Sequence, residues 1–129
     1  MDCANKFDMK IHTDERLRER KIGKNAGDFL ERRWKDFTFC EEDGESLEEV
    51  QMRNIKALED ILARNPKMNI VIGTHGTALS TILNYYDSSY NCDGFRSIWL
   101  CMPYIIRCDF DDKHALIQKE ELLSIKRGY

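Results

Sequence analysis

At 129 residues and 15.2 kDa the chain has room for one ordinary domain with one modest core. Hydrophobic residues at 42% and charged residues at 33% give the balance of a soluble globular protein and exclude a disordered or fibrous one. The net charge of −3, with both signs interspersed, excludes the basic face of a nucleic-acid binder, and no apolar run approaches a membrane span. The first six residues, Met-Asp-Cys-Ala-Asn-Lys, lack the apolar core of a signal peptide.

In chain order, residues 3–8 read as the tail of a helix and residues 9–13 as a short alternating strand. Residues 14–23 are dense in charge and end in glycine, the pattern of a loop. Residues 26–37 have helical spacing, with Phe29, Arg33 and Trp34 on related faces. Ser46-Leu47-Glu48-Glu49 fits a capping box, Ser46 bonding forward to the Glu49 N–H while the Glu49 carboxylate reaches back. Leu47, Val50, Leu58, Ile61 and Leu62 then form an apolar stripe of helical period, Glu49 and Arg53 an i,i+4 pair, and Asn65-Pro66 a stop. Ile70, Val71 and Ile72 read as a buried strand, followed by a turn at His75 and a second helix to about Tyr86. Residues 87–94 read as a polar loop. Residues 104–110 and 114–119, joined by Asp111-Asp112-Lys113, read as a β-hairpin. This order predicts a single α/β domain over 1–129, with a mixed, mostly parallel sheet flanked by helices and the hairpin at its edge.

The five cysteines, Cys3, Cys40, Cys92, Cys101 and Cys108, include no Cys-x-x-Cys pair, and their number is odd. That pattern predicts reduced thiols in a cytoplasmic protein rather than a disulfide or zinc framework. The three histidines have no partners at metal-ligand spacing, so no metal is expected.

Two segments carry candidate chemistry. His75 stands between Gly73 and Gly76 where a strand gives way to a helix. Beyond the carboxyl end of a strand, the first helical turn offers unpaired N–H groups and the positive end of a dipole. A histidine there is placed either to hold a phosphate or other small anion, with the Gly76 N–H beside it, or to cap the strand structurally. Leu17-Arg18-Glu19-Arg20-Lys21-Ile22-Gly23 sets the Glu19 carboxylate among cations, which favour its ionised form; the same segment also reads as a solvated charge run.

Together the segments resemble the histidine phosphatase superfamily, and within it the branch close to cofactor-dependent phosphoglycerate mutases. Leu17-x-Glu19-Arg20-x-x-Gly23 resembles that family's acid-bearing loop. Gly44-Glu45-Ser46-Leu47 with Arg53 resembles the start of its middle helix. Residues 70–76 resemble its second-histidine strand, and Met102-Pro103 its C-terminal layout. The resemblance implies that Glu19 is the general acid, that His75 donates to phosphoryl oxygens, and that Gly76 adds a backbone donor. It implies that Arg20 helps to hold an anionic substrate. Glu45 and Ser46 read as helix-start structure.

The resemblance further implies phosphatase or mutase chemistry on a small phosphorylated molecule, through a phosphohistidine and without a cofactor or metal. The family's nucleophile lies in an Arg-His-Gly motif on its first strand, and this sequence contains no such motif. The chain therefore resembles the C-terminal two-thirds of a family member, truncated at the first strand. Three expectations follow: little or no turnover by this chain alone, retained phosphate binding, and an apolar strand edge that drives rearrangement or pairing in a homodimer or strand-exchanged oligomer. A non-catalytic, anion-binding or self-associating module is the alternative.

Overall fold

The computed structural model describes residues 11–126. The helix expected over 3–8 and the first part of the strand expected over 9–13 lie outside them; Ile11 to Thr13 carry no regular structure. A 3-10 turn, Glu15–Leu17, opens the described chain, capped by Asp14, whose carboxylate accepts the Arg16 N–H at 2.9 Å. A second 3-10 turn, Ala26–Phe29, runs directly into α1, Leu30–Lys35, as the spacing predicted.

Helix α2, Leu47–Arg64, begins where the capping motif placed it, with Ser46 Oγ accepting the Glu49 N–H at 3.1 Å. Only the forward half of the box forms: the Glu49 side chain is exposed. Nor does Glu49 pair with Arg53, which turns back over the helix start instead (below). Removing the cap by Ser46→Ala should cost about 1 kcal/mol. Urea midpoints at constant slope would measure it, and a loss below a few tenths would mean the cap is dispensable. Asn65 ends α2 ahead of Pro66, as expected.

Helix α3, Gly76–Tyr86, buries Ala78, Ile82 and Leu83, and Ile82 packs on Ile55 and Leu58 of α2. Ile55, Leu58 and Ile82 form the centre of the core, with Leu62, Ile72, Tyr86 and Phe110 packed around it. Helix α4, Cys92–Trp99, starts inside the segment read as a polar loop. The Asn91 side chain caps it, accepting the Asp93 N–H at 3.1 Å, and its Phe95 and Ile98 are buried. Trp34 stacks on Phe95 at 6.0 Å between ring centroids, tying α1 to α4.

The chain ends in an antiparallel hairpin of β1, Cys101–Phe110, and β2, Leu116–Lys126, both longer than predicted. Tyr86 meets Phe110 edge-on at 5.3 Å, and Lys119 reaches Asp87 at 3.1 Å, so the hairpin is fastened to the end of α3 and the loop after it. The outer strand β2 is exposed along nearly its whole length.

The mixed, mostly parallel sheet expected from the sequence does not form among the described residues, where the sheet is this two-stranded hairpin. The run Ile70, Val71, Ile72 is not a buried strand: it has no regular structure, and Val71 is 96% exposed. The physical reason is the lack of a lateral partner. A strand exists through bonds to a neighbour, and β1 bonds to β2 alone. Ile72 still packs on the core, so the run holds its place by one side chain rather than by its backbone.

Candidate functional site

The segment over residues 14–23 has little regular structure of its own, and it is fixed by side chains reaching across to it. Arg16 bonds Asp14 and, at 2.6 Å, Asp60 on α2. These hydrogen bonds from Arg16 bring the Asp14 carboxyl down to about 2. Further along, Glu45 N–H donates to the Lys21 carbonyl at 3.0 Å, and Lys24 N–H to the Glu42 carbonyl at 2.9 Å. Gly23 closes this turn because a Cβ there would collide with the backbone of residues 42–44.

That stitching delivers Glu19 to the start of α3. Its carboxylate accepts the Thr77 N–H at 3.1 Å on one oxygen and the Ala78 N–H at 3.0 Å on the other. The second oxygen also takes the Arg20 N–H at 2.9 Å. Two of the orphan donors of α3 are therefore satisfied by a residue nearly sixty positions earlier, in the geometry that favours an anion at the positive end of a helix.

His75 is the residue before α3 and is exposed. Among the described residues its imidazole makes no cap hydrogen bond to the helix start, and the residue faces solvent. Among the described residues the Gly76 N–H has no hydrogen-bond partner, and neither Gly73 nor Gly76 has an atom within 4 Å of where a Cβ would stand. Their lack of side chains leaves open space in front of the helix start, rather than permitting a close backbone approach within the protein. Glu19, His75 and Gly76 thus all stand at the start of one helix.

Arg20 borders the same space but is directed elsewhere. Its guanidinium is buried, bonded to Glu41 at 2.5 and 3.1 Å and to the Glu45 carbonyl at 2.8 Å. Arg33 joins it, bonding Glu41 at 2.9 Å and the Ala26 carbonyl at 2.7 Å. Burial works to raise the Glu41 carboxyl, but the two guanidinium groups outweigh it and hold it below the ordinary range. Glu41 and Arg33 carried no sequence signal for such a role. Nothing local marks Glu41 for burial, and the converging arginines come from other segments.

Glu19, Arg20, His75 and Gly76 are among the residues lining an open groove of about 1480 Å³. Its walls are the apolar sides of α2, α3 and α4, residues of β1 and the extended run over residues 68–74. Among the described residues, no three His, Cys, Asp or Glu side chains cluster so as to hold a metal ion, and no helix is long and apolar enough to cross a membrane.

The family model for the histidine phosphatase superfamily (branch 1) matches residues 2–120 of this sequence. The chain belongs to the histidine phosphatase superfamily. In fold it is similar to Bacillus stearothermophilus YhfR, with a TM-score of 0.63 and 22% sequence identity. The likeness covers 88% of this chain and 62% of YhfR, so the chain spans under two-thirds of that protein's length. No curated protein matches it.

Proposed function

We propose that this chain binds phosphate, or the phosphoryl group of a small ester, in front of α3, and that in a complete phosphoglycerate mutase-like protein the same residues serve phosphoryl transfer through a phosphohistidine. The observation that carries the reading is the convergence of Glu19, the open His75 imidazole and the unbonded Gly76 N–H on one helix start. His75 would donate to phosphoryl oxygens and Gly76 would add a backbone donor. Glu19, which already touches the same turn of helix, would deliver a proton to the leaving oxygen. Arg20 would reach substrate only by leaving Glu41; in the geometry described it acts by ordering the loop that carries Glu19.

With no Arg-His-Gly motif in the sequence, the acid has no nucleophile to assist, and this chain alone should not turn over p-nitrophenyl phosphate. Thermal unfolding tests binding. Inorganic phosphate at about a hundred times its Kd should stabilise the wild type by about 2.7 kcal/mol and leave His75→Ala unmoved. Equal stabilisation of both proteins, or of neither, would refute the site. Turnover that vanishes in His75→Ala would refute the inactivity.

A second reading is favoured by one further observation. Among the described residues the apolar run over 70–72 has no hydrogen-bonded neighbour, and residues of β1 line the same groove. Unpaired edges of this kind recruit strands. On this reading the chain is a self-associating, anion-binding module, a homodimer or strand-exchanged oligomer.

A further inference from the structure

The clearest arrangement that the proposed chemistry does not use surrounds Arg53. We infer that Arg53, oriented by Glu45, is a positioning residue that sets the Glu19 carboxylate onto the start of α3. Its side chain is 13% exposed and makes five hydrogen bonds, the full donor capacity of a guanidinium. Three go to backbone carbonyls of the acid loop: Arg16 at 2.9 Å, Arg18 at 2.6 Å and Glu19 itself at 3.0 Å. The other two form a bidentate pair with Glu45 at 2.9 and 2.8 Å. Glu45 in turn accepts the Lys21 N–H at 3.1 Å, so one ion pair grips the loop on both sides of Glu19.

The geometry explains why this pair bears on where the acid stands. Residues 18–23 have no helix or strand to hold them. Arg53 projects from α2, and α2 packs on α3 through Leu58 and Ile82. Arg53 therefore ties the separation between Glu19 and the Thr77 and Ala78 N–H groups to a helix–helix contact, gripping the loop at Glu19 itself, while Arg16 and Arg20 hold its flanks. A lysine keeps the charge but offers a point donor, which does not span three carbonyls and a carboxylate at once. Arg53 also holds the Glu45 carboxyl below its ordinary range, so the pair stays ionised and the grip stays closed near neutral pH.

The positioning stands on geometry alone; that the positioned carboxylate serves phosphoryl chemistry rests on the reading proposed above. The test is amide hydrogen exchange by NMR on the full chain, as a cycle of wild type, Arg53→Lys, Glu19→Ala and the double variant. Glu19→Ala removes the acceptor of the Thr77 and Ala78 amides and should speed their exchange roughly five-fold, the worth of a helix cap. Arg53→Lys should speed the same two amides by a similar factor, with the amide of Leu83 in the same helix unchanged. The double variant should show no further increase, because both changes break one linkage.

Unchanged Thr77 and Ala78 exchange in Arg53→Lys, additive effects in the double variant, or a uniform rise across all helices would each overturn the proposal. Should Arg53→Lys fail to fold, Glu45→Gln loosens the same grip while keeping the side-chain size, and it is held to the same outcomes. Phosphate titration of the same samples separates the two proposals. A wild type that ignores phosphate while the exchange cycle holds refutes the functional reading and leaves the positioning intact.

Discussion

Replacing Glu41 by Leu should cost about 3–5 kcal/mol, a large part of the total stability of a domain this size. The Glu41 side chain is wholly buried and faces two guanidinium groups that are themselves 4% and 7% exposed. Truncating an arginine would leave a second cation to neutralise the acid. Removing the acid leaves two buried cations facing each other with no anion between them, which is the costliest way to break such a cluster. Urea unfolding would show the loss as a lower midpoint at unchanged slope. A change below about 1 kcal/mol would mean that water enters and solvates the arginines, so that the cluster is not dry.

The same cluster fixes the direction of acid sensitivity. Glu41 and Glu45 are both held below the ordinary glutamate value of 4.5 in the folded chain. A depressed folded pKa contributes stability that is fully present above the unfolded value and is lost as pH falls through the folded value. The chain should therefore lose stability progressively below about pH 4.5, and more steeply than Glu41→Leu, which has already surrendered that part. Parallel stability–pH curves for the two proteins would show that the folded Glu41 carboxyl is not depressed.

What the sequence made legible, and what it did not, divides by whether the signal is local. Ser46 three residues before Glu49, Asn65 ahead of Pro66 and the polar triplet at 111–113 are local rules, and α2 and the hairpin turn sit where those rules placed them. Glu19 and His75 were legible as a resemblance, yet nothing local says that the Glu19 carboxylate bonds Thr77 and Ala78. Arg53 was misread for the same reason. Its i,i+4 neighbour Glu49 was the only partner that spacing could offer, and the loop carbonyls that won are more than thirty positions away. Helix α4 went unseen because it is a short helix with a glycine inside it. The run over 70–72 failed in the opposite direction. Its composition describes a buried strand well, but burial of a strand is a property of its neighbours, and the described residues supply none.

That mismatch can be measured by comparing two apolar residues that composition alone would rank alike. Leu83, on α3, is 2% exposed, whereas Val71 is 96% exposed. Leu83→Ala should cost about 3 kcal/mol, since it leaves a cavity where a fully buried side chain stood. The loss should be the same at every protein concentration, and it should weaken phosphate binding only through the folded fraction. Val71→Asp should change the stability of the monomer by no more than about 0.5 kcal/mol, because nothing packs on that side chain. Its effect belongs to association instead. If the 70–72 run pairs with a second chain, wild type should sediment as a concentration-dependent dimer and Val71→Asp as a monomer. A wild type that stays monomeric at high micromolar concentration would show that the exposed run is tolerated as it stands. A Val71→Asp protein as destabilised as Leu83→Ala, at low concentration, would show that the run is buried as its composition predicts.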